Sequence, residues 1–364
     1  MNELTLHPNV YQTGASKGLV GLLERLWVRE HTPGEGTIYI ISGFANYNGG
    51  VRFYDVFRRH IDNGGRVVAF LGGSTSQRLS SKQVVRELLQ SGAEVNLINR
   101  KRLMHAKSYG VCTGDGEKLI VTSGNFTGPG MSQNVELSVL LDSATAGEMD
   151  FSWEGMTQAM LGQRWDIHRP DIANPDDPAW QLLYDEEDRG LVLDESDEAT
   201  MVVRLGHADT ARIMAIPGTS AYKGSQYFWL SKDAFGFFPP LTILNRRGYK
   251  STYSTMITMN FVDLGREEEV RVTFEADNNL DFRLGTGPLR GTQLAQDGDI
   301  AAITRRREGS YELRIYRDGT PLHTALTRYA ISFIGHRGKM YGYLSNSEFD
   351  EVIGLRNARG ARIH

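Results

Sequence analysis

A histidine and a lysine stand two residues apart in "LMHAKSYG" (103–110), with a single alanine between them. In an extended chain, residues two apart project to the same side, so His105 and Lys107 face one way and Ala106 the other. An imidazole beside an ammonium suits an anion: the ring can attack or exchange a proton near neutral pH, and the lysine supplies positive charge. Further on, "VTSGN" ends at Asn125, where Gly124 permits close backbone approach, and "NVELSVLL" opens on Glu136 among apolar neighbours. A carboxylate buried there calls for a partner. Singly, each residue is an ordinary polar side chain. Their order and spacing carry the signal.

The elements around them follow a β-α-β-α-β rhythm. Residues 37–44, 66–73 and 94–100 read as strands, 51–62 as an amphipathic helix, and 80–92 as a Ser-capped helix stopped by Gly92. Three further strands are expected near 106–112, 118–123 and 135–141, then a closing helix over 151–165. This rhythm predicts an α/β domain with a mixed, mostly parallel sheet flanked by helices, which binds ligands at its strand ends. The His-Lys pair falls at a strand start.

After residue 199 the texture changes to short runs such as "TMVVRLG", "SQYFWLS", "DIAAITRR" and "YELRIYR", separated by Gly, Asn, Asp and Pro. This predicts an all-β second domain of barrel or sandwich type. The formal net charge of -4 hides a segregation: 16 Lys/Arg against 16 Asp/Glu in 1–168, 2 against 11 in 169–198, and 22 against 17 in 199–364. The expected organisation is therefore a first domain over 1–168, an acidic, proline-bearing extended linker over 169–198, and a basic β domain over 199–364. An acidic segment tied to a cationic cleft could occupy it as a mimic of DNA, or serve only as a solvated spacer.

A chain of 364 residues with 40% hydrophobic and 23% charged residues fits two globular domains and excludes disordered and fibrous classes. Its apolar runs are far short of a bilayer crossing and "MNELTLHPNVY" is no leader peptide, so no membrane partner and a cytoplasmic location are expected. The single cysteine, Cys112, and nine scattered histidines predict neither disulfide nor metal cluster. "LGGSTSQRLSS" and "GNFTGPG" read first as strand-helix turns; the second, next to Asn125, also reads as a substrate-facing loop.

The run "HAK…SGN…E" resembles the phospholipase D superfamily motif, with a departure: the position five after Lys107, where that motif carries Asp, holds Cys112. Loss of the Asp with a Glu after the Asn is similar to the nuclease branch. Stretches such as "SGFANYNGGVRFY", "SGNFTGPGMSQN", "LGHADTARI", "YFWLSKD" and "FFPPLTI" resemble the BfiI-type metal-independent type IIS restriction endonucleases across nearly the whole chain. The resemblance implies a phospholipase-D-like nuclease and dimerisation domain, followed by a DNA-recognition pseudobarrel like that of plant transcription factors. It implies double-stranded DNA as substrate, no divalent metal or other cofactor, and cognate DNA methyltransferases as functional partners. A short asymmetric site such as ACTGGG, cut a few bases downstream, is implied as well. The C-terminal tail 355–364 lies beyond the family's usual end.

Metal-free phosphodiester hydrolysis needs a nucleophile, a proton donor for the leaving oxygen and positive charge on the phosphoryl oxygens. Here His105 would attack, Glu136 would hold its other ring nitrogen, and Lys107 and Asn125 would cradle the non-bridging oxygens. One imidazole cannot be nucleophile and leaving-group acid in the same step. With one HxK copy per chain, the second His105 must come from another chain, which predicts a homodimer with one shared site. By the same resemblance, Arg212, Trp229, Arg247 and Arg271 match base-reading positions, while Arg246, Lys250 and Lys223 are expected on phosphates. Alternatives are a DNA-binding regulator with a dead nuclease fold and a lipid phosphodiesterase; the intact motif weighs against the first, Cys112 and the basic β domain against the second.

Overall fold

The computed structural model describes residues 1–7, 10–100, 103–163, 166–187, 198–247, 250–275, 282–333 and 339–354, with the backbone alone at 232–233, 246–247, 250 and 332–333. The chain forms two compact units. Unit 1 comprises Met1–Arg189 together with Asp233–Thr242; unit 2 comprises Gly190–Lys232 and Ile243–His364.

Unit 1 is built on strands β1 (Glu3–His7), β2 (Tyr11–Gln12), β3 (Thr37–Ser42), β4 (Arg66–Gly72), β5 (Glu94–Asn99), β6 (Lys107–Thr113), β7 (Gly116–Thr122), β8 (Glu136–Leu141) and β9 (Asp166–His168). They form one sheet in the order β2-β1-β8-β7-β6-β3-β4-β5-β9. The mixed sheet is present, but it is not mostly parallel: only β3–β4 and β4–β5 are parallel ladders. The β-α-β rhythm stops at β5, after which the chain turns into the antiparallel run β6-β7-β8, whose short connections need no crossover helix.

The central strands are buried on both faces, as their continuous apolar runs require. One face receives Trp27, whose ring meets Phe53 at 5.0 Å and Phe57 at 5.3 Å and whose indole N–H donates to the Gly110 carbonyl at 3.3 Å. The other receives Trp153, stacked on Tyr39 at 4.9 Å and donating to the Lys118 carbonyl at 3.0 Å. Gly110 lies between the two indoles; a Cβ there would fall 2.5 Å from Trp153 Cζ2. The helix Lys82–Gln90 begins at Ser81, whose hydroxyl accepts from the Val84 N–H at 3.2 Å, and gives way to Gly92 at φ +88°.

The charge run predicts an extended linker over 169–198, yet residues 169–187 are folded against unit 1. Pro178–Leu182 is a 3-10 turn capped by Asp177, Arg169 donates to Asn96 at 2.8 Å, and Tyr184 bridges to Ser81. Asp185 accepts from Gln83 at 2.5 Å and Glu186 from the Tyr47 N–H at 2.7 Å, and burial pushes the Glu186 carboxyl up to about 7. Net charge is a weak guide here because Trp180, Leu182 and Tyr184 give the segment an apolar edge, with Arg86 over the Trp180 ring and Arg78 over the Tyr184 ring. Residues 188–197, including Asp188, lie outside the described residues.

Unit 2 holds β10 (Ala199–Arg204), β11 (Tyr227–Trp229), β12 (Ile243–Arg247), β13 (Lys250–Phe261), β14 (Arg266–Glu275), β15 (Phe282–Gly285), β16 (Ile300–Arg305), β17 (Tyr311–Tyr316), β18 (Ser332–Phe333) and β19 (Met340–Ser345). Its sheet runs β11-β15-β14-β13-β17-β16-β10-β19-β18, with β12 paired to β13, and β13–β17 is the one parallel pair among the described strands. The unit is sheet-rich as expected of a pseudobarrel, but not wholly β. Helices Pro321–Thr327 and Asn346–Val352 send Leu326 and Phe349 into a core with Val202, Ile300, Ala302 and Leu344.

Candidate active site

The chain builds β3, β4 and β5 outward to one side, then returns to the opposite edge of β3 to build β6. A reversal of strand order opens a crevice at the carboxyl ends of the parallel strands. Ser42 at the end of β3 pairs with Lys107 at the start of β6, and the antiparallel turns bring the end of β7 and the start of β8 to the same end of the sheet. His105, Lys107, Asn125 and Glu136 all sit on these ends.

Lys107 Nζ lies 2.9 Å from His105 Nδ1 and 3.0 Å from Nε2. The pair forms, though not by strand alternation: β6 starts at Lys107, and His105 precedes it on an extended lead-in that is exposed while Lys107 is buried. That lead-in is held against Gly43, whose N–H donates to the Ala106 carbonyl at 3.1 Å; a Cβ on Gly43 would fall 2.3 Å from the Met104 carbonyl oxygen. The Phe44 ring meets the imidazole edge-on at 6.1 Å. Burial pulls the Lys107 ammonium below the usual lysine range, and the charge of Glu136 opposes that pull.

The resemblance implies a Glu136–His105 contact; among the described residues the Glu136 carboxylate is bonded elsewhere. It accepts from Ser123 Oγ and, at 3.2 Å, from Asn134 Nδ2. The ring nitrogens of His105 turn instead to Lys107. Ser123 and Asn134 were not singled out from the sequence; Ser123 is the small residue before Gly124, and its hydroxyl also accepts from the Leu137 N–H at 3.1 Å.

Asn125 stands in a loop whose glycines are explained by backbone contact. A Cβ on Gly124 would fall 2.7 Å from the Gly130 carbonyl oxygen, and one on Gly130 would fall 2.6 Å and 2.7 Å from Asn125 O and N. Phe126 N–H donates to Ser42 Oγ at 2.9 Å, Gly128 N–H donates to Asn46 Oδ1 at 2.9 Å, and the Thr127 hydroxyl caps the short helix Gly128–Ser132. Asn125 Oδ1 is buried and has no hydrogen-bond partner among the described residues. A buried amide oxygen in this state calls for a partner, and which end of the amide is O and which is N is a matter of orientation. A charged donor at Lys107 and a neutral amide at Asn125 suit the oxygens of a phosphoryl group.

The residues expected to meet DNA lie in unit 2. Arg212 Nε donates to the Lys223 carbonyl at 3.0 Å, which brings these two together, and Lys223 is exposed. Trp229 is half-buried on β11, edge-on to Tyr227 at 5.1 Å, with the Arg283 guanidinium 5.9 Å from its ring centroid. Its strand is anchored by Asp209, which accepts from the Trp229 N–H at 2.8 Å and from the buried Lys339 ammonium at 2.7 Å. Arg271 projects from β14 and is exposed. Arg246, Arg247 and Lys250 mark the β12–β13 hairpin, and their side chains lie outside the described residues. Arg283, and Arg290 stacked over Tyr222 at 4.8 Å, are arginines of the same unit that sequence reading passed over.

Residues 37–152 match a family model described as cardiolipin synthase, PLD-like domain, and residues 193–356 match one described as the metal-independent restriction enzyme BfiI DNA binding domain. No curated protein matches the chain. Among solved structures, the phospholipase D family member Nuc from Salmonella typhimurium aligns over 47% of this chain and 99% of its own, with 12% identity and a TM-score of 0.33. NucT from Helicobacter pylori aligns over 44% and 95%, with 16% identity and a TM-score of 0.30. The B3 domain of the UbaLAI restriction endonuclease, solved with cognate DNA, aligns over 40% and 86%, with 12% identity and a TM-score of 0.26.

Proposed function

We propose, from the match of residues 37–152 to a PLD-like domain and of residues 193–356 to the BfiI DNA binding domain, that the chain is a sequence-specific type IIS endonuclease that cuts double-stranded DNA without a metal. The observation that carries the reading is the His105–Lys107 contact at the same end of the sheet as Asn125 and Glu136.

Lys107 Nζ lies almost equidistant from the two ring nitrogens of His105 and therefore off the in-plane lone pair of either, so the ring keeps a nitrogen available to attack phosphorus while the ammonium offers its N–H groups to the anionic oxygens of an arriving phosphodiester. His105 forms an N–P bond as the P–O bond to the leaving nucleotide breaks, and the leaving oxygen takes a proton from the protonated His105 of a second copy. Water then cleaves the N–P bond, giving its proton back to that second imidazole and the phosphate to the cut end. Lys107 and Asn125 hold the non-bridging oxygens throughout, and Glu136, fixed by Ser123, favours the charged form of Lys107. The functional unit in this reading is a homodimer with one composite site. The division of the nuclease and the base-reading strands between two compact units supports cutting outside the recognised sequence.

The test is plasmid DNA incubated with the purified protein in excess EDTA. Discrete fragments are expected. Intact DNA would falsify the reading, and release of a lipid headgroup instead would make the protein a lipid phosphodiesterase.

A further inference from the structure

Ten residues from the C-terminal half of the sequence, Asp233–Thr242, belong to unit 1. The chain leaves unit 2 after β11, contributes this segment to unit 1, and re-enters unit 2 at β12. Ala234, Phe235, Phe237, Phe238 and Leu241 are all buried. The segment is seated on one side chain: Asn48 Nδ2 donates to the carbonyls of Phe235 at 3.2 Å, Phe238 at 2.9 Å and Pro239 at 3.2 Å, while its Oδ1 accepts from the Leu241 N–H at 3.1 Å. Asn48 is itself 4% exposed. A single buried amide meeting four backbone groups of a segment remote in sequence, its two N–H shared among three carbonyls, is a specific seat for that segment.

The seat adjoins the catalytic loop. Gly236 lies directly on Gly128: a Cβ on Gly236 would fall 2.5 Å from Gly128 C and 2.7 Å from its Cα, and one on Gly128 would fall 2.6 Å from Gly236 Cα. Gly128 opens the short helix whose Gly130 presses on the backbone of Asn125. Asn46, two residues before the seat, holds the Gly128 N–H. From segment to Asn125 the contact is backbone on backbone, with no flexible side chain to absorb a shift.

We propose that Asp233–Thr242 is a positioning element for Asn125, seated by Asn48 and registered by the Gly236–Gly128 contact. The inference rests on the preceding reading of the site and extends it to how the loop that carries Asn125 is held.

The experiment compares wild type, Gly236→Ala, Asn48→Asp and the control Gly147→Ala, whose added Cβ would meet nothing. Two quantities are measured on cognate DNA: the equilibrium Kd, and the single-turnover cleavage rate at saturating enzyme. Displacing a substrate-holding group by about 1 Å costs on the order of 100-fold in rate. Gly236→Ala is expected to lose roughly 10- to 100-fold in rate, with Kd within about twofold of wild type and Gly147→Ala unchanged. Asn48→Asp, which keeps the acceptor for Leu241 but cannot donate to the three carbonyls, is expected to do the same, and it keeps the test open if Gly236→Ala does not fold. A folded variant cleaving at the wild-type rate overturns the inference, as does a Kd that weakens while the saturated rate holds. A wild type that does not cut DNA is a failure of the nuclease reading, and is seen before any variant is made.

Discussion

Acidification should strike unit 1 through a buried pair of histidines. His31 Nε2 lies 3.0 Å from His60 Nδ1, and His60 Nε2 lies 3.1 Å from the Arg66 carbonyl. A carbonyl can only accept, so His60 carries its proton on Nε2, and its Nδ1 lone pair receives the Gly34 N–H at 3.0 Å and the His31 N–H. A proton on His60 Nδ1 would face two donors. Burial lowers both rings, and takes His31 from 6.5 to about 4. Between those values the unfolded chain binds a proton that folded His31 refuses. The stabilisation is therefore complete above 6.5 and is lost as pH falls toward 4. At about 1.4 kcal/mol per unit the ceiling is roughly 3 kcal/mol; His31 sits at the rim of the core, and solvent screening reduces this to about 1–2 kcal/mol. The assay is guanidinium unfolding of wild type and His31→Gln at pH 7.5 and 4.5. The substitution keeps a donor for His60 and removes the titration, so the variant should lose about 1–2 kcal/mol less stability over that range. Equal losses in the two proteins would refute the assignment.

Three further outcomes are expected. Purified heterodimers of wild-type and His105→Ala chains should be inactive, since a shared site needs both imidazoles; full activity in a plasmid cleavage assay would separate the chemistry from the dimer. Trp153→Ala removes an indole that is 0% exposed and leaves the Lys118 carbonyl without its donor; unit 1 should lose about 3–5 kcal/mol, read as a fall in Tm. In DNA binding, Arg271→Ala should cost about 1–3 kcal/mol and relax discrimination at one base pair, whereas Lys223→Ala should weaken all sequences alike and reduce the slope of log Kd against log salt by about 1. The reverse pattern would exchange their roles.

Where local pattern and tertiary burial agree, the fold was legible in the residues. The runs at 37–44 and 66–73 are the buried β3 and β4, and the Ser81 cap and Gly92 stop bound the helix Lys82–Gln90. Strand β1 was missed because its polarity is inverted: Glu3, Thr5 and His7 point inward, Glu3 pairing with Arg25 and Thr5 accepting from Gly18. The longest described strand, β13, was missed because the Lys-Ser-Thr opening of "KSTYSTMITMNF" reads as a turn, although its Thr, Tyr, Ile and Phe favour a strand. The run "FGFFPPLT" looks like part of the β domain in which it is written, and nothing local reveals that it belongs to the other unit. At the candidate site, order and type single out His105, Lys107, Asn125 and Glu136, and the strand register brings these four to one end of the sheet. The bond made by Glu136 was not legible, because a nearby serine and asparagine compete for the same carboxylate.

The place of Asp233–Thr242 in the chain has a consequence for the order of synthesis. All four residues of the proposed site have been synthesised by residue 136, and the strands of the sheet that carries them by residue 168. At about 5–20 residues per second, the last ten residues of that unit are added seconds later, between two strands of the second unit. A prematurely terminated chain would hold His105, Lys107, Asn125 and Glu136 and leave Asn48 without the four backbone groups it meets. If the proposed nuclease reading holds, the cutting unit is thereby withheld from completion until part of the second unit has been made.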